Sequence, residues 1–90
     1  MAEALIVDDD IAHLEGLAEL VAREGFTTRT ASTLAEARQA IAESVPNVVL
    51  TDLVLPDGSG LDLRGDLEDG CGAELILNAA NVNLVGFSRF

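Results

Sequence analysis

The sequence predicts an α/β protein built on a doubly wound parallel sheet, and three observations lead there. The runs Ala4-Leu5-Ile6-Val7 and Val48-Val49-Leu50 are apolar without polar alternation, the pattern of strands covered on both faces. Amphipathic helical stripes lie between and after them. Parallel neighbours need a long return connection, and a helix between successive strands supplies it.

The first strand stops at Asp8, Asp9 and Asp10, which places these acids at the carboxyl edge of the sheet. Asp10 is positioned to cap a helix whose stripe is Ile11, Leu14, Leu17, Leu20 and Val21, and Gly25 to end it. Phe26, Thr28 and Thr30 alternate with Thr27 and Arg29 in a short β-branched second strand. Thr33 and Glu36 form a capping box for a second helix with Leu34, Ala37 and Ile41 on its apolar side, and Pro46 marks its end. The third strand finishes on Asp52. The turn cluster Leu55-Pro56-Asp57-Gly58-Ser59-Gly60 leads into a short helix carrying Leu61 and Leu67, which Gly65 weakens by about 1 kcal/mol relative to Ala. After Gly70-Cys71-Gly72, Leu75-Ile76-Leu77 reads as a fourth strand. Beyond it neither stripe nor cap is present, and one more short strand is expected at residues 82–85. The expectation is a domain over residues 1–77, with about four strands and three helices. The tail at 78–90 is expected to be either an edge strand or a segment exchanged between copies.

Ninety residues, 49% of them hydrophobic, suit one small core and argue against disorder. The five basic residues are all arginine and scattered (Arg23, Arg29, Arg38, Arg64, Arg89), against sixteen acids, for a net charge of −11. Such a chain repels phosphate backbones and anionic membranes, so neither nucleic acid nor membrane is an expected partner. The single Cys71 excludes an internal disulfide and a multi-cysteine zinc site, and with no apolar run of membrane-spanning length a cytoplasmic location is expected.

In an open parallel sheet, ligands bind beyond the carboxyl ends of the strands, at the point where strand order reverses. Asp8 and Asp9 follow the first strand, Asp52 ends the third, and a doubly wound order makes those strands neighbours. Clustered carboxylates repel one another unless a divalent cation neutralises them, and an oxygen-only ligand set suits magnesium (Mg2+). An aspartate beside such a cation has the chemistry of a nucleophile toward a phosphoryl donor. Taken singly, Asp10 and Asp57 read as cap or turn residues. His13 reads as a surface or boundary residue of the first helix, and the Asp62, Asp66, Glu68 and Asp69 cluster as a solvated helix face.

Leu5-Ile6-Val7-Asp8-Asp9-Asp10, followed by Val48-Val49-Leu50-Thr51-Asp52-Leu53-Val54-Leu55-Pro56-Asp57-Gly58-Ser59-Gly60, resembles the receiver domain of two-component response regulators, leaning toward receivers of sigma-54-dependent activators. The resemblance runs from residue 4 to about 77, through the fourth strand, and is strong to Leu63. It implies a flavodoxin-like fold, Asp52 as phosphoacceptor and Asp8 and Asp9 as the acidic pair around Mg2+. The Val54 backbone carbonyl is implied as a further metal ligand, and a sensor histidine kinase as phosphodonor. It implies a signalling domain rather than an enzyme.

The resemblance also implies a Ser or Thr after the fourth strand, where this chain offers Asn78, Ala79 or Ala80, and a lysine after a fifth, which the chain lacks altogether. The family's last two helices have no counterpart. A sheet without them exposes strips of several hundred Å². The chain is therefore expected to form a homo-oligomer, by pairing exposed faces or by exchanging its tail. The alternative function is a receiver-derived self-association module without phosphorylation competence.

Overall fold

The computed structural model describes residues 2–67, 73–78 and 84–89. The chain runs through β1 (Glu3–Val7), α1 (Ile11–Arg23), β2 (Thr27–Ala31), α2 (Leu34–Glu43) and β3 (Val48–Asp52). A small hairpin of β4 (Val54–Leu55) and β5 (Gly58–Ser59) follows, then a 3-10 turn at Gly60–Asp62, α3 (Leu63–Leu67), β6 (Glu74–Asn78) and β7 (Leu84–Arg89). The main sheet has the order β2-β1-β3-β6-β7. Its first four strands are parallel, and β7 closes the edge antiparallel to β6.

The central strands are buried on both faces, as their unbroken apolar runs predict. Leu5, Val7, Val49 and Leu75 face a core built with Leu34, Ala37 and Ile41 of α2 and Leu63 and Leu67 of α3. Ala4, Ile6 and Leu50 face the opposite way, against Leu14 and Leu17 of α1. Right-handed crossovers require this division, because the chain steps from β1 outward to β2 and then back past β1 to β3, which puts α1 and α2 on opposite faces. The face bearing α1 carries one described helix against two on the other. It retains an apolar groove of about 300 Å³ lined by Val21, Phe26, Val48, Leu50 and Ile76, together with Glu24 and Glu74.

Local signals set the helix ends. Asp10 caps α1 by accepting from the His13 N–H at 3.2 Å, and Gly25 leaves the helix at φ +97°, a conformation that favours glycine. Thr33 caps α2 by accepting from the Glu36 N–H at 3.1 Å. The box is displaced, however: the Glu36 carboxylate accepts from the N–H and hydroxyl of Ser32, one residue before the cap. At the other end of α2, the Arg29 guanidinium on β2 donates to the Ala40 carbonyl at 2.7 Å and to the Ser44 carbonyl, and pairs with Glu3 at 3.0 Å. A cation there meets the negative end of the helix dipole.

Several elements differ in detail from expectation. Only Leu14 and Leu17 of the α1 stripe are buried, while Ile11 is 56% and Leu20 59% exposed, because a single helix lying on a sheet buries a narrower arc than the stripe spans. The second strand starts at Thr27 rather than Phe26, whose side chain packs toward α1 instead. The turn cluster is a two-stranded hairpin, and the short helix begins as a 3-10 turn. The strand expected at 82–85 falls partly outside the described residues, and the strand found there is Leu84–Arg89. Cys71, its flanking glycines, Glu68 and Asp69 also lie outside them.

Candidate metal centre

Since β1 and β3 are paired in register, Val7 opposite Thr51, the residues that follow them emerge side by side at the carboxyl edge. One carboxylate oxygen from each of Asp8, Asp9 and Asp52 lies within 4.8 Å of the other two. Asp8 is only 1% exposed, Asp52 half-buried and Asp9 exposed, so the cluster opens from a buried base toward solvent.

The chain is held tightly around these acids. The Asp8 N–H donates to the Ala31 carbonyl at 3.1 Å, carrying the β1–β2 ladder one residue past the strand. The Asp8 Oδ1 accepts from the Asp10 N–H at 2.9 Å, and its Oδ2 is hydrogen-bonded to the Nδ1 of His13. Beside Asp52, the buried Thr51 donates its hydroxyl to the Asp52 carbonyl at 3.0 Å. The Gly60 N–H donates to the Leu53 carbonyl at 3.0 Å, folding the hairpin back onto the end of β3. A Cβ at Gly60 would sit 2.3 Å from the Asp52 carbonyl oxygen and 2.8 Å from the Thr51 hydroxyl, so only glycine permits this approach.

The hairpin also reaches the neighbouring helix. Asp57 accepts from the Leu34 N–H at 2.8 Å and the Ala35 N–H at 3.0 Å, so the first three N–H groups of α2 are all satisfied, by Asp57, Asp57 and Thr33 in turn. Those two bonds hold the Asp57 carboxyl below its ordinary value.

The predicted acids thus come together, and Val54 begins the hairpin two residues beyond Asp52, 74% exposed. Asn78, one of the three candidates for the position after the fourth strand, lies opposite Asp52 in register, while positions 79 and 80 lie outside the described residues. Asp10 is a cap, as read. Asp57 is both: it sits in the turn of the hairpin, and from there caps α2 across 23 residues. His13 was not expected in the cluster. The signal for it is its place in the first turn of a helix that leaves the sheet three residues after the strand ends, which brings that turn back over the strand terminus.

Three clustered oxygen donors with no thiolate are the ligand chemistry of a hard divalent cation, so the residues fit Mg2+. Acids at the switch point of a parallel sheet form a cation site that unrelated α/β proteins share, and it is the match to a family model that gives the class as a signalling domain of the receiver type. The chain belongs to the response regulator receiver domain family, whose model matches residues 4–79. It is 39% identical over 83 residues to the transcriptional regulatory protein KdpE of Mycobacterium tuberculosis, covering 92% of this chain and 37% of that protein. It is 46% identical over 61 residues to the response regulator PilR of Pseudomonas aeruginosa, covering 68% of this chain and 14% of that protein. The chain therefore spans well under half the length of these relatives. Among solved structures it resembles the response regulator TrrA of Thermotoga maritima in complex with Mg2+ and BeF, with a TM-score of 0.80 and 31% identity over 89% of this chain and 70% of that one. It also resembles the beryllofluoride-activated NtrC4 receiver domain dimer, with a TM-score of 0.78 and 28% identity over 92% of this chain and 69% of that one. The fold is flavodoxin-like, and no helix among the described residues is long and apolar enough to cross a membrane.

Proposed function

We propose that this receiver domain takes a phosphoryl group from a sensor histidine kinase onto Asp52, in the cytoplasm. The observation that carries the reading is the convergence of Asp8, Asp9 and Asp52 within 4.8 Å at the switch point. An Asp52 carboxylate oxygen forms the new P–O bond while the P–N bond of the phosphohistidine breaks, and the imidazole nitrogen keeps the electron pair and takes up a proton. Asp8, Asp9, Asp52 and the Val54 carbonyl would hold Mg2+, which when bound neutralises charge on the transferring oxygens. The hairpin pinned by Gly60 and Asp57 keeps Asp52 and Val54 in place for both tasks. The domain is expected to act as a phosphoacceptor rather than a turnover catalyst.

Self-association belongs to the same proposal. A second copy covers the apolar groove beside α1, a reading supported by the almost wholly apolar lining of that groove; the NtrC4 receiver that this chain resembles is itself a dimer.

The test of phosphorylation is intact-mass measurement after incubation with Mg2+ and acetyl phosphate. Wild type is expected to gain one phosphoryl group, and Asp52→Asn none. Retention of the increment in that variant, or its appearance without Mg2+, would place the chemistry elsewhere.

A further inference from the structure

We infer that His13 is a positioning residue of the metal centre, holding the Asp8 carboxylate in the orientation that a divalent cation requires. The inference rests on the reading of Asp8 as a metal ligand and adds a residue to it. An ionised carboxylate only accepts hydrogen bonds, so the Nδ1 of His13 carries the proton and donates it to Asp8 Oδ2. The Asp10 N–H donates to Oδ1 from the other side. Both oxygens of a side chain that is 1% exposed are thereby tied, and the carboxylate cannot turn about its Cβ–Cγ bond without breaking one of the two bonds. Each oxygen keeps a second lone pair, and one of the two lies within 4.8 Å of a carboxylate oxygen of Asp9 and of Asp52, so acceptor capacity for a cation remains beside them.

Without His13, the Asp10 N–H alone would hold the carboxylate, and Oδ2 would be free to turn out of the orientation that faces the cation. His13 itself is fixed, since its backbone N–H is the one that Asp10 caps and its side chain is only 26% exposed. Strand end, helix cap and imidazole therefore form one closed unit in which the cost of ordering Asp8 is met before a cation arrives. Outer groups of this kind typically contribute 10- to 100-fold to metal affinity.

The experiment is Mg2+ titration by calorimetry of the full chain, wild type beside His13→Ala, His13→Asn and Asp8→Asn, with thermal unfolding in the absence of Mg2+ as a folding control. His13→Ala is expected to bind Mg2+ about tenfold more weakly. His13→Asn, whose amide nitrogen can occupy the place of Nδ1, is expected to recover most of that loss. His13 is the one histidine of the chain, so its ring resonances can be followed alone in wild type. They are expected to shift on Mg2+ addition with the calorimetric midpoint and to stay fixed in Asp8→Asn. Ring resonances unmoved by saturating Mg2+, affinity of His13→Ala equal to or tighter than wild type, or failure of Asn to recover a loss would each overturn the role of His13. Absence of Mg2+ binding by wild type would overturn the metal reading itself, which separates the two failures. Should His13→Ala not fold, the wild-type resonances decide.

Discussion

Asp57 illustrates how one side chain ties the functional loop to the scaffold. Its carboxylate accepts from the amides of Leu34 and Ala35, and these bonds hold its pKa below the ordinary 3.8, with Arg38 adding a smaller effect in the same direction. Because the folded value is depressed, the stabilisation is fully present above 3.8 and is lost as the pH falls through the lower folded value. Thermal unfolding of wild type and Asp57→Ala should therefore show a gap that is constant from neutral pH down to the ordinary carboxylate range and shrinks below it. A gap unchanged through the acid range would mean that the carboxylate charge plays no part in capping α2. The effect belongs to an exposed group and is expected to diminish with salt.

At α2 the two ends are secured by residues remote in sequence, Asp57 at the start and Arg29 at the finish. Arg29→Ala removes hydrogen bonds to the Ala40 and Ser44 carbonyls and the pairing with Glu3. The buried Nε–H, which has no acceptor among the described residues, is a cost already present, so the net loss is moderated. The expected destabilisation is about 2 kcal/mol, read as a fall in Tm of about 10 °C by circular dichroism. Arg29→Lys should recover only part of it, since one ammonium cannot replace a planar fork that meets three acceptors. A variant as stable as wild type would show that the contacts contribute nothing net. These long-range ties also mark the limit of what the sequence discloses. The doubly buried β1 and β3, the Asp10 and Thr33 caps and the acids at two strand ends are local patterns, and they were legible residue by residue. Arg29 meeting α2, Asp57 capping it and His13 reaching Asp8 depend on where separate elements come to rest, which periodicity does not encode. Gly60 was visible as a turn residue, but the close approach to Asp52 that demands it was not.

The molecule as a whole sets an apolar groove against a strong negative charge. Burial of the groove by a second copy is favourable in proportion to the apolar area removed from water, while two chains of −11 each repel. The Debye length falls from about 8 Å at 0.15 M salt to about 3 Å at 1 M, so repulsion between copies weakens with salt much faster than the apolar contact does. Self-association should therefore strengthen as salt rises, the reverse of an interface held by ion pairs. Light scattering coupled to gel filtration across that salt range would show mass increasing toward a dimer. Ile76→Asp, which puts a charge into the groove at a half-buried position of β6, should hold the chain monomeric throughout. A monomer at high salt and high concentration in the wild type would rule out the second copy as occupant of the groove, and a dimer that dissociates with salt would place the contact on a charged surface instead.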